Sequence, residues 1–313
     1  NIKWLEDNSY TMEEILKDSN EIVPEKRKEK KKSGGRGWLV FKIIMFVIFL
    51  LYAISLIYPV FYGFLTSLKS QSEFMEDPNR LPQEWLFSNY IVVFNELSAD
   101  GSNMFNMFFN SIWYTLGGTI LGVFVSMMTA YVAAKYEFPG RKLVYGVAMF
   151  VMMIPIVGAM PSQYRMYTVF GIIDSPLLVI TFASGLGFNF IVLYSFYKSL
   201  SWEYAEAAFI DGAGDFRVFI QVMVAQTLST VLALCVVTSI NFWNDYMGPL
   251  LFLRSYPTLA TGIYRYRAIT AIMNQNTPVY FSALIISMIP VLAVFVAFQN
   301  KMMDLSLGGG IKG

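Results

Sequence analysis

Six stretches of this chain contain no Asp, Glu, Lys or Arg for 22 residues or more, and they constrain its fold more than any other feature. These stretches are 43–68, 101–134, 143–164, 175–197, 218–244 and 268–300. About 20 consecutive apolar residues are enough for a helix to cross the hydrocarbon core of a bilayer. The sequence therefore predicts an all-α integral membrane protein with six transmembrane helices. Their predicted positions are about 38–66, 107–134, 142–160, 176–199, 216–241 and 278–300.

The composition supports a membrane protein and argues against several kinds of chemistry. Charged residues make up 14% of the 313 residues, whereas a soluble domain carries about 25%. The chain has no histidine, which is the commonest general base and metal ligand, so an intramembrane metalloenzyme or a histidine proton relay is not expected. The single cysteine, Cys235, lies within an apolar stretch and allows no internal disulfide.

The distribution of Lys and Arg predicts how the helices are oriented. Cytoplasmic segments of membrane proteins are enriched in these residues. Seventeen of the 23 lie in the first 42 residues, in the segments 135–142 and 198–217, and after residue 300. We therefore expect both termini and the segment 198–217 to be cytoplasmic. Residues 1–37 are predicted to be a basic cytoplasmic tail, whose run EKRKEKKK either anchors the topology or also contacts anionic membrane lipid.

Glycines and prolines indicate where the predicted helices pack closely or bend. The stretch LGGTILG at 116–122 contains small residues that let a neighbouring helix approach. Pro59 predicts a kink and Pro155 an interruption of the third helix, and Pro290 lies inside the sixth.

The segment between the fourth and fifth predicted helices reads SLSWEYAEAAFIDGAGDFRVF. Residues from Trp202 to Phe209 favour a helix, and Gly212 can adopt the left-handed conformation that closes one. Asp215 offers a side-chain oxygen that can cap the following helix. The local prediction is a helix, a sharp turn and a second helix. Such an element suits docking to a soluble partner or an interfacial helix lying on the membrane, and these residues do not separate the two.

Several motifs in the last two-thirds of the chain resemble one known family. The stretch EYAEAAFIDGAGDFRVFIQV is similar to the EAA signature of importer-type ABC permeases. Further similarities to sugar permeases of the maltose-transporter inner-subunit type are NSIWYTLGGTILGVFVSMMTAYVAAKYEFPGRK, NFWNDYMGPLLFL and the terminal GGGIKG. The resemblance covers about 105–313, in the family's order. Ala225 departs from it, because the family usually has a proline there, and this predicts a straighter fifth helix.

The resemblance implies the fold of a type I ABC importer permease, with the basic tail at 1–37 and a six-helix permease domain at 38–313. The implied function is to form half of the translocation path for a carbohydrate by alternating access, and an oligosaccharide is the expected kind of carbohydrate. The implied partners are a second homologous permease, two cytoplasmic ATPase subunits and an extracellular or periplasmic solute-binding protein. The chain has no phosphate-binding loop, so we expect no enzymatic activity and no cofactor in it. ATP and Mg²⁺ belong to the partner ATPase, and no nucleic-acid partner is expected.

In that family the EAA segment, near 201–215 in this chain, is a coupling helix that sits in a cleft of the ATPase. Glu206 is our candidate for a charged contact, and Gly212 for setting the turn. The full set of candidate coupling residues is Glu203, Glu206, Ala207, Ala208, Asp211 and Gly212. The resemblance also implies that the GGGIKG end approaches the nucleotide sites, with a disordered end as the alternative.

Candidates for the substrate path are polar and aromatic residues in or near the predicted helices, because sugars bind to aromatic faces and to amide or hydroxyl groups. Polar side chains in a membrane are costly unless paired, so hydrogen bonds between helices explain them equally well. The candidates are Asn110, Ser111, Asn189, Asn241, Trp243, Asn244 and Tyr246. In maltose-type subunits the loop after the fifth helix reaches into the binding protein. The residues that match it are Tyr264, Arg265, Tyr266 and Arg267, with a solvated loop as the alternative.

Three other functions are weighed against this one. The nearest is an ABC permease for a non-sugar solute such as a glycerol phosphate or a peptide. A phosphate path would favour a basic cluster inside the helices, and the sequence has none. An ion-coupled secondary carrier would need buried Asp, Glu or His, which the apolar stretches lack. An intramembrane enzyme would need paired carboxylates or a nucleophile motif within the apolar stretches, and the sequence shows neither.

Overall fold

The computed structural model describes residues 36–154, 158–273 and 276–308, which are mostly helical. The predicted basic tail and the terminal GGGIKG lie almost wholly outside these residues. The α-helices in chain order are α1 (Arg36–Ser67), α2 (Gln71–Glu76), α3 (Asn89–Glu96), α4 (Met104–Lys135), α5 (Arg141–Met153), α6 (Ala159–Val169), α7 (Phe188–Ser199), α8 (Glu203–Ile210), α9 (Asp215–Val218), α10 (Val224–Asn244), α11 (Met247–Phe252), α12 (Leu259–Met273) and α13 (Thr277–Gly308).

The chain divides into two units, Asn1–Ile57 and Tyr58–Gly313. The described part of the first unit is the beginning of α1, where most apolar side chains between Trp38 and Ile57 are exposed. A helix that is apolar on every side needs either a protein core or lipid around it. In this unit the Lys42 ammonium lies 3.6 Å from the centre of the Trp38 ring, which is a cation–π contact.

In the second unit, α1 is followed by a segment of short elements held by local hydrogen bonds. Ser70 and Glu73 form a capping box at the start of α2. After α3, strands β1 (Ser98–Ala99) and β2 (Ser102–Asn103) pair as an antiparallel hairpin. Both residues of its turn have positive φ, 47° at Asp100 and 79° at Gly101, as the Asp-Gly pair of a type I′ turn requires.

Within the part of the chain that the structure describes, four stretches are long and apolar enough to cross a membrane. They are Gly37–Ser67, Met104–Lys135, Asp215–Asn244 and Thr277–Gln299. They correspond to the first, second, fifth and sixth predicted helices. The close packing expected at LGGTILG is present, because a Cβ atom added to Gly118 would lie only 2.7 Å from the Phe242 ring of α10.

Neither the third nor the fourth predicted helix is one continuous helix; an interruption of the third was expected from Pro155, which itself lies outside the described residues, whereas the break in the fourth corrects the sequence prediction. The third ends as α5 at Met153, and α6 starts only at Ala159, after Gly158 with a φ of 79°. The fourth is a 3₁₀ helix, Pro176–Phe182, followed by an irregular segment and then α7. Gly187 in that segment has a φ of 139°, which an α-helix cannot contain. The count of six continuous helices is therefore not confirmed.

The irregular segment before α7 packs against α4, and α4 donates a hydrogen bond to one of its backbone carbonyls. The Ser126 hydroxyl of α4 donates a hydrogen bond to the Ser184 carbonyl at 3.0 Å. A Cβ atom added to Gly185 would lie 2.6 Å from Thr129 Oγ1, so only glycine allows this approach. Non-helical backbone at membrane depth is tolerated where protein groups bond to it.

The fifth predicted helix contains a π-helical segment, Phe219–Met223, between α9 and α10. This irregular turn ends two residues before Ala225, the position where the family usually has a proline. The Thr227 hydroxyl is 3.1 Å from the carbonyl oxygens of both Met223 and Val224. This side chain supplies a donor to the carbonyls at the end of the wide turn, so the distortion needs no proline.

Candidate functional site

The candidate coupling residues lie on α8 and the turn after it. The segment is fixed to the core by Ala205, which is fully buried beside Val218 and Phe219. Ala208 is half-buried, and the other five candidates are exposed: Glu203, Glu206, Ala207, Asp211 and Gly212. Ala205 therefore packs into the chain's own core, and the exposed face carries the carboxylates.

The turn after α8 closes as the sequence predicts. Gly212 has a φ of 82°, and its N–H donates to the Phe209 carbonyl at 3.0 Å. The Ala213 N–H donates to the Ala208 carbonyl, also at 3.0 Å. This pair of hydrogen bonds is the Schellman motif, which needs a left-handed residue at the glycine position. The end of α8 is thus fixed by its own backbone.

Asp215 has a different role from the predicted one. Gly214 occupies the position before α9, and no side chain caps that helix. The Asp215 carboxylate instead accepts a hydrogen bond from the Tyr136 hydroxyl at 2.6 Å. Burial, followed by this hydrogen bond, raises the pKa of Tyr136, so the hydroxyl remains protonated and donates. This hydrogen bond connects two residues that are 79 positions apart in the sequence. A capping rule that considers only neighbouring residues cannot predict it.

A second set of contacts ties the coupling segment to the end of α4. The Lys135 ammonium donates to the Leu200 carbonyl at 2.5 Å. The Trp202 ring meets the edge of Tyr136 at 5.9 Å and also packs on Phe209 at 6.0 Å. These contacts, with the packing of Ala205, join the α8 segment to both α4 and the helix that begins at α9.

Beside this segment is a cavity of about 540 Å³. Its wall is largely aromatic, with two carboxylates, Glu137 and Asp215. The aromatic residues are Tyr131, Tyr136, Phe138, Phe216 and Phe219. The sequence prediction used the segment 135–142 to orient the chain and as part of the family resemblance, and assigned no binding site to it. The signal that could have identified this site is the alternation of aromatic and acidic residues in YEF.

Three substrate-path candidates are engaged in contacts between segments of the chain. The Asn110 amide donates to the Pro257 carbonyl at 3.0 Å and accepts from the Trp113 indole at 3.1 Å. The Asn189 amide lies 3.2 Å from the Thr238 hydroxyl. The Trp243 indole donates to the Ser287 carbonyl at 3.0 Å, close to Pro290, which has no N–H of its own. These contacts fit the alternative role, hydrogen bonding inside the protein.

Ser111 is also used internally, whereas three candidates stay exposed. The buried Ser111 hydroxyl accepts from the Leu259 N–H at 2.8 Å. Asn241, Asn244 and Tyr246 are exposed at the end of α10 and just after it. The Asn244 amide donates to the Ile240 carbonyl of its own helix at 2.8 Å.

The four candidates for binding-protein contact lie on helix α12, not in a loop as expected. The resemblance to maltose-type subunits had implied a loop at these positions. Arg265 is paired with Asp100 in the hairpin turn. The Tyr266 hydroxyl donates to Glu96 at 3.0 Å, and burial together with this bond raises the pKa of Tyr266. Tyr264 and Arg267 are exposed.

The structure brings together two candidates that the sequence assigned to different roles. The rings of Tyr246 and Tyr264 are stacked, with centres 4.5 Å apart and planes inclined by 21°. Both side chains are exposed. The Tyr246 carbonyl accepts from the Thr261 hydroxyl at 3.0 Å, which holds the segment after α10 against α12. We call these two residues the tyrosine pair.

A second cavity, of about 400 Å³, lies between α4, α10 and α13. Its wall is almost entirely apolar, and Trp243 is the one candidate residue that contributes to it. Thr115 and Thr119 line it, and neither hydroxyl has a hydrogen-bond partner within the described residues. This wall suits apolar groups better than a sugar.

Comparisons with known proteins agree with the motif resemblance. A sequence profile of the family described as "Binding-protein-dependent transport system inner membrane component" matches residues 118–302, more than half of the chain. The Streptomyces coelicolor diacetylchitobiose uptake system permease protein NgcG is 31% identical over 265 residues, covering 83% of this chain and 86% of that protein. The Bacillus subtilis arabinooligosaccharides transport system permease protein AraQ is 28% identical over 281 residues, covering 88% and 97%.

Two further comparisons extend the similarity. The Mycobacterium tuberculosis trehalose transport system permease protein SugB is 26% identical over 261 residues, covering 82% of this chain and 92% of that protein. Among solved structures, a bacterial ABC transporter involved in the import of the acidic polysaccharide alginate has a chain with a TM-score of 0.71. It is 23% identical and covers 85% of this chain and 97% of its own, which shows a shared fold.

The motif resemblance is therefore confirmed, and the family's ATPase is a separate partner. The chain belongs to the family of inner membrane components of binding-protein-dependent transport systems, as a non-catalytic, multi-pass permease subunit of an ABC importer in the cytoplasmic membrane.

Proposed function

We propose that this subunit forms half of the translocation path for an oligosaccharide and couples that path to ATP hydrolysis by its partner. The observation that carries the coupling role is the arrangement of α8, where Ala205 is buried and Glu203 and Glu206 are exposed. The substrate class is supported by the relatives, whose names refer to diacetylchitobiose, arabinooligosaccharides and trehalose.

The proposed topology has six membrane crossings with both termini in the cytoplasm. Four crossings are the long apolar helices. The other two are assembled from shorter pieces, α5 with α6 and the 3₁₀ helix with α7. This arrangement puts α8 and the basic segment 135–142 on the cytoplasmic side, in agreement with the distribution of Lys and Arg.

The proposed assembly contains a second homologous permease, two cytoplasmic ATPase subunits that bind ATP and Mg²⁺, and a solute-binding protein on the opposite side. Glu206 contacts the ATPase, and Asp211 and Gly212 flank that contact. When the ATPases close, they draw the coupling helices of the two permeases together. The transmembrane segments then change between inward-open and outward-open arrangements as rigid bodies. The GGGIKG end lies near the nucleotide sites in this proposal.

The tyrosine pair is the proposed contact for sugar on the side of the binding protein. Aromatic faces bind the apolar faces of sugar rings, and tyrosine adds a hydroxyl at its edge. Asn241 and Asn244 come shortly before Tyr246 in the sequence. Both are exposed, and their side chains offer amide groups. Arg265 and Tyr266 act differently in this proposal, because they fix α12 to the hairpin and so hold Tyr264 in place.

The experiment is ATP hydrolysis by the complex purified from membranes with its natural partners, in the presence of the binding protein. A panel of oligosaccharides is added one at a time. We expect one class of oligosaccharide to stimulate hydrolysis, and this result also identifies the substrate. The proposal is overturned if no ATPase accompanies the chain and if solute uptake follows an ion gradient. Stimulation by a non-sugar solute alone would overturn the substrate class and keep the coupling role.

A further inference from the structure

The cavity beside the coupling helix has the chemistry of a cation-binding site. Aromatic rings form most of its wall, and their faces carry negative charge density that attracts ammonium and guanidinium groups. The Tyr131 and Phe219 rings have centres 5.0 Å apart, and Tyr131 meets the edge of Tyr136 at 5.6 Å. The volume of about 540 Å³ is in the range of sites that bind small groups.

The two carboxylates of the cavity add full negative charge to this wall. Asp215 accepts one hydrogen bond, from Tyr136, and a carboxylate can accept about four. Glu137 is exposed at the rim. An aromatic wall alone would suit any apolar group, but two carboxylates beside it disfavour such a group and favour a positively charged one.

The neighbouring basic residues of the chain do not fill the cavity. No Lys or Arg is among the described residues that line it. Three basic side chains near it in sequence bond elsewhere: Lys135 to the Leu200 carbonyl, Arg141 to the Ala134 carbonyl and Arg217 to Gln221. The negative charge of the cavity is therefore available to a group from another molecule.

The position of the cavity identifies the kind of molecule. Tyr136 forms part of its wall and packs against Trp202, which leads directly into α8. Asp215 lies three residues after Gly212, at the end of the coupling turn. A protein seated on the exposed face of α8 therefore lies next to the opening of the cavity.

We propose that this cavity binds a lysine or arginine side chain of the ATPase, as a second contact beside the coupling helix. The inference rests on the proposed function, which supplies the ATPase at α8. The Tyr136–Asp215 hydrogen bond joins the end of α4 to the start of α9. A cation held between these residues makes the ATPase pull on both helices at one point. Its contribution to docking is distinct from that of Glu206, which lies on α8 itself.

The test removes the two charges without changing the size of either side chain. Asp215→Asn and Glu137→Gln are combined in the full importer complex, and the retention of the ATPase is measured at increasing ionic strength. We expect about three- to tenfold weaker retention, as for the loss of partly exposed charge contacts, and a shallower dependence on salt. A matched control removes two exposed carboxylates far along the sequence, by Glu76→Gln and Glu84→Gln.

A second measurement identifies the occupant directly. A photo-crosslinking analogue of phenylalanine replaces Phe216, whose side chain is 64% exposed at the cavity. The matched control position is Phe109 on α4, which is 52% exposed. We expect the analogue at 216 to crosslink to an ATPase peptide that contains Lys or Arg, and the analogue at 109 to give no ATPase product.

The outcomes separate this inference from the proposed function. Crosslinking at 216 to lipid or to the second permease, with unchanged retention of the ATPase by the double variant, overturns the inference alone. In that case the wild-type complex still shows sugar-stimulated ATP hydrolysis. Absence of any ATPase from the wild-type complex overturns the proposed function, and this inference with it.

Discussion

The charged side chains at the two ends of α4 are arranged differently. At the hairpin end, which comprises residues 96–103 and 264–266, charged and polar side chains bond to each other. At the coupling end, which comprises residues 135–138 and 200–216, carboxylates are exposed on α8 and around the cavity. Within the described parts of the chain, a salt bridge joins Arg265 and Asp100 at the hairpin end.

In the proposed function, this difference separates a region that is held by its own side-chain contacts from a region whose exposed groups meet a partner. The hairpin end combines the Arg265–Asp100 pair, the Tyr266–Glu96 hydrogen bond and a type I′ turn. The coupling end uses backbone hydrogen bonds and aromatic packing to fix its shape, which leaves its acidic groups exposed. Substitutions at the hairpin end should therefore affect stability first, and substitutions at the coupling end should affect partner binding first.

The largest effect is expected from charge reversal on the coupling helix. Glu206→Lys replaces an exposed carboxylate with a cation, so the contact with the ATPase becomes repulsive. We expect loss of transport and of sugar-stimulated ATP hydrolysis, by about 100-fold or more, since like charges at an interface cost several kcal/mol. Glu84→Lys, at an exposed site in the segment before α3, is the control and should retain activity. Normal stimulated hydrolysis in Glu206→Lys would refute the coupling role.

Tyr264 and Tyr266, two residues apart in α12, have different proposed roles: Tyr264 contacts sugar, and Tyr266 stabilises the fold. Substituting each in turn tests this assignment. Tyr264→Ala removes half of the exposed tyrosine pair, so we expect about tenfold lower sugar uptake and an unchanged unfolding temperature. Tyr266→Phe removes the hydrogen bond to Glu96, so we expect a loss of about 1 kcal/mol in stability and retained uptake. Uptake and thermal unfolding are measured for both variants. The reverse pattern would contradict the assignment of Tyr264 to sugar contact.

A smaller effect is expected at the turn that ends α8. Gly212→Ala places a side chain at a φ of 82°, which costs about 1 kcal/mol. We expect a lower unfolding temperature and weaker binding of the ATPase. Gly214→Ala is a matched control, because Gly214 has a φ of −78° and no atom within 4 Å of an added Cβ. Equal behaviour of the two variants would show that the Schellman turn is not needed for coupling.

The smallest effect is a pH dependence in the segment between α1 and α3. The backbone N–H of Ser70, with those of Gln83 and Glu84, lowers the pKa of Glu73 from 4.5. A lowered pKa in the folded state stabilises the protein above the unfolded pKa, and this stability is lost as pH falls through the folded value. Glu73→Gln should therefore flatten the decline in unfolding temperature below about pH 4.5. An unchanged decline would assign it to other carboxylates.

Sequence patterns predicted the parts of this protein that local chemistry determines. Uninterrupted apolar runs predicted the four long stretches, and Gly212 predicted the left-handed turn after α8. The same reasoning expected Pro155 to interrupt the helix at 142–160, but it gave a continuous helix at 176–199, because it counted apolar residues there and underestimated the glycines among them. The break before α7 depends on Ser126 and Thr129 of α4, which lie more than 50 residues away.

The candidate site was predictable to the extent that its residues act alone. The acidic, exposed face of α8 follows from the EAA segment. The bond between Tyr136 and Asp215 does not, because only the folded chain brings these residues together. Likewise, sequence alone left two roles open for Asn110, Asn189 and Trp243, and their hydrogen-bond partners in other segments are visible only in the folded chain. Neither the cavity beside α8 nor the tyrosine pair belongs to a single stretch of sequence.

Helix α4 is unbroken from Met104 to Lys135, and its 32 residues span about 48 Å at 1.5 Å per residue. It contacts the hairpin at one end and the coupling segment at the other, so one continuous helix connects these two regions. A tilt of about 5° about one tip displaces the other by about 4 Å over this length. Motion imposed at the coupling segment therefore reaches the hairpin through geometry alone, without a relay of rearranged side chains.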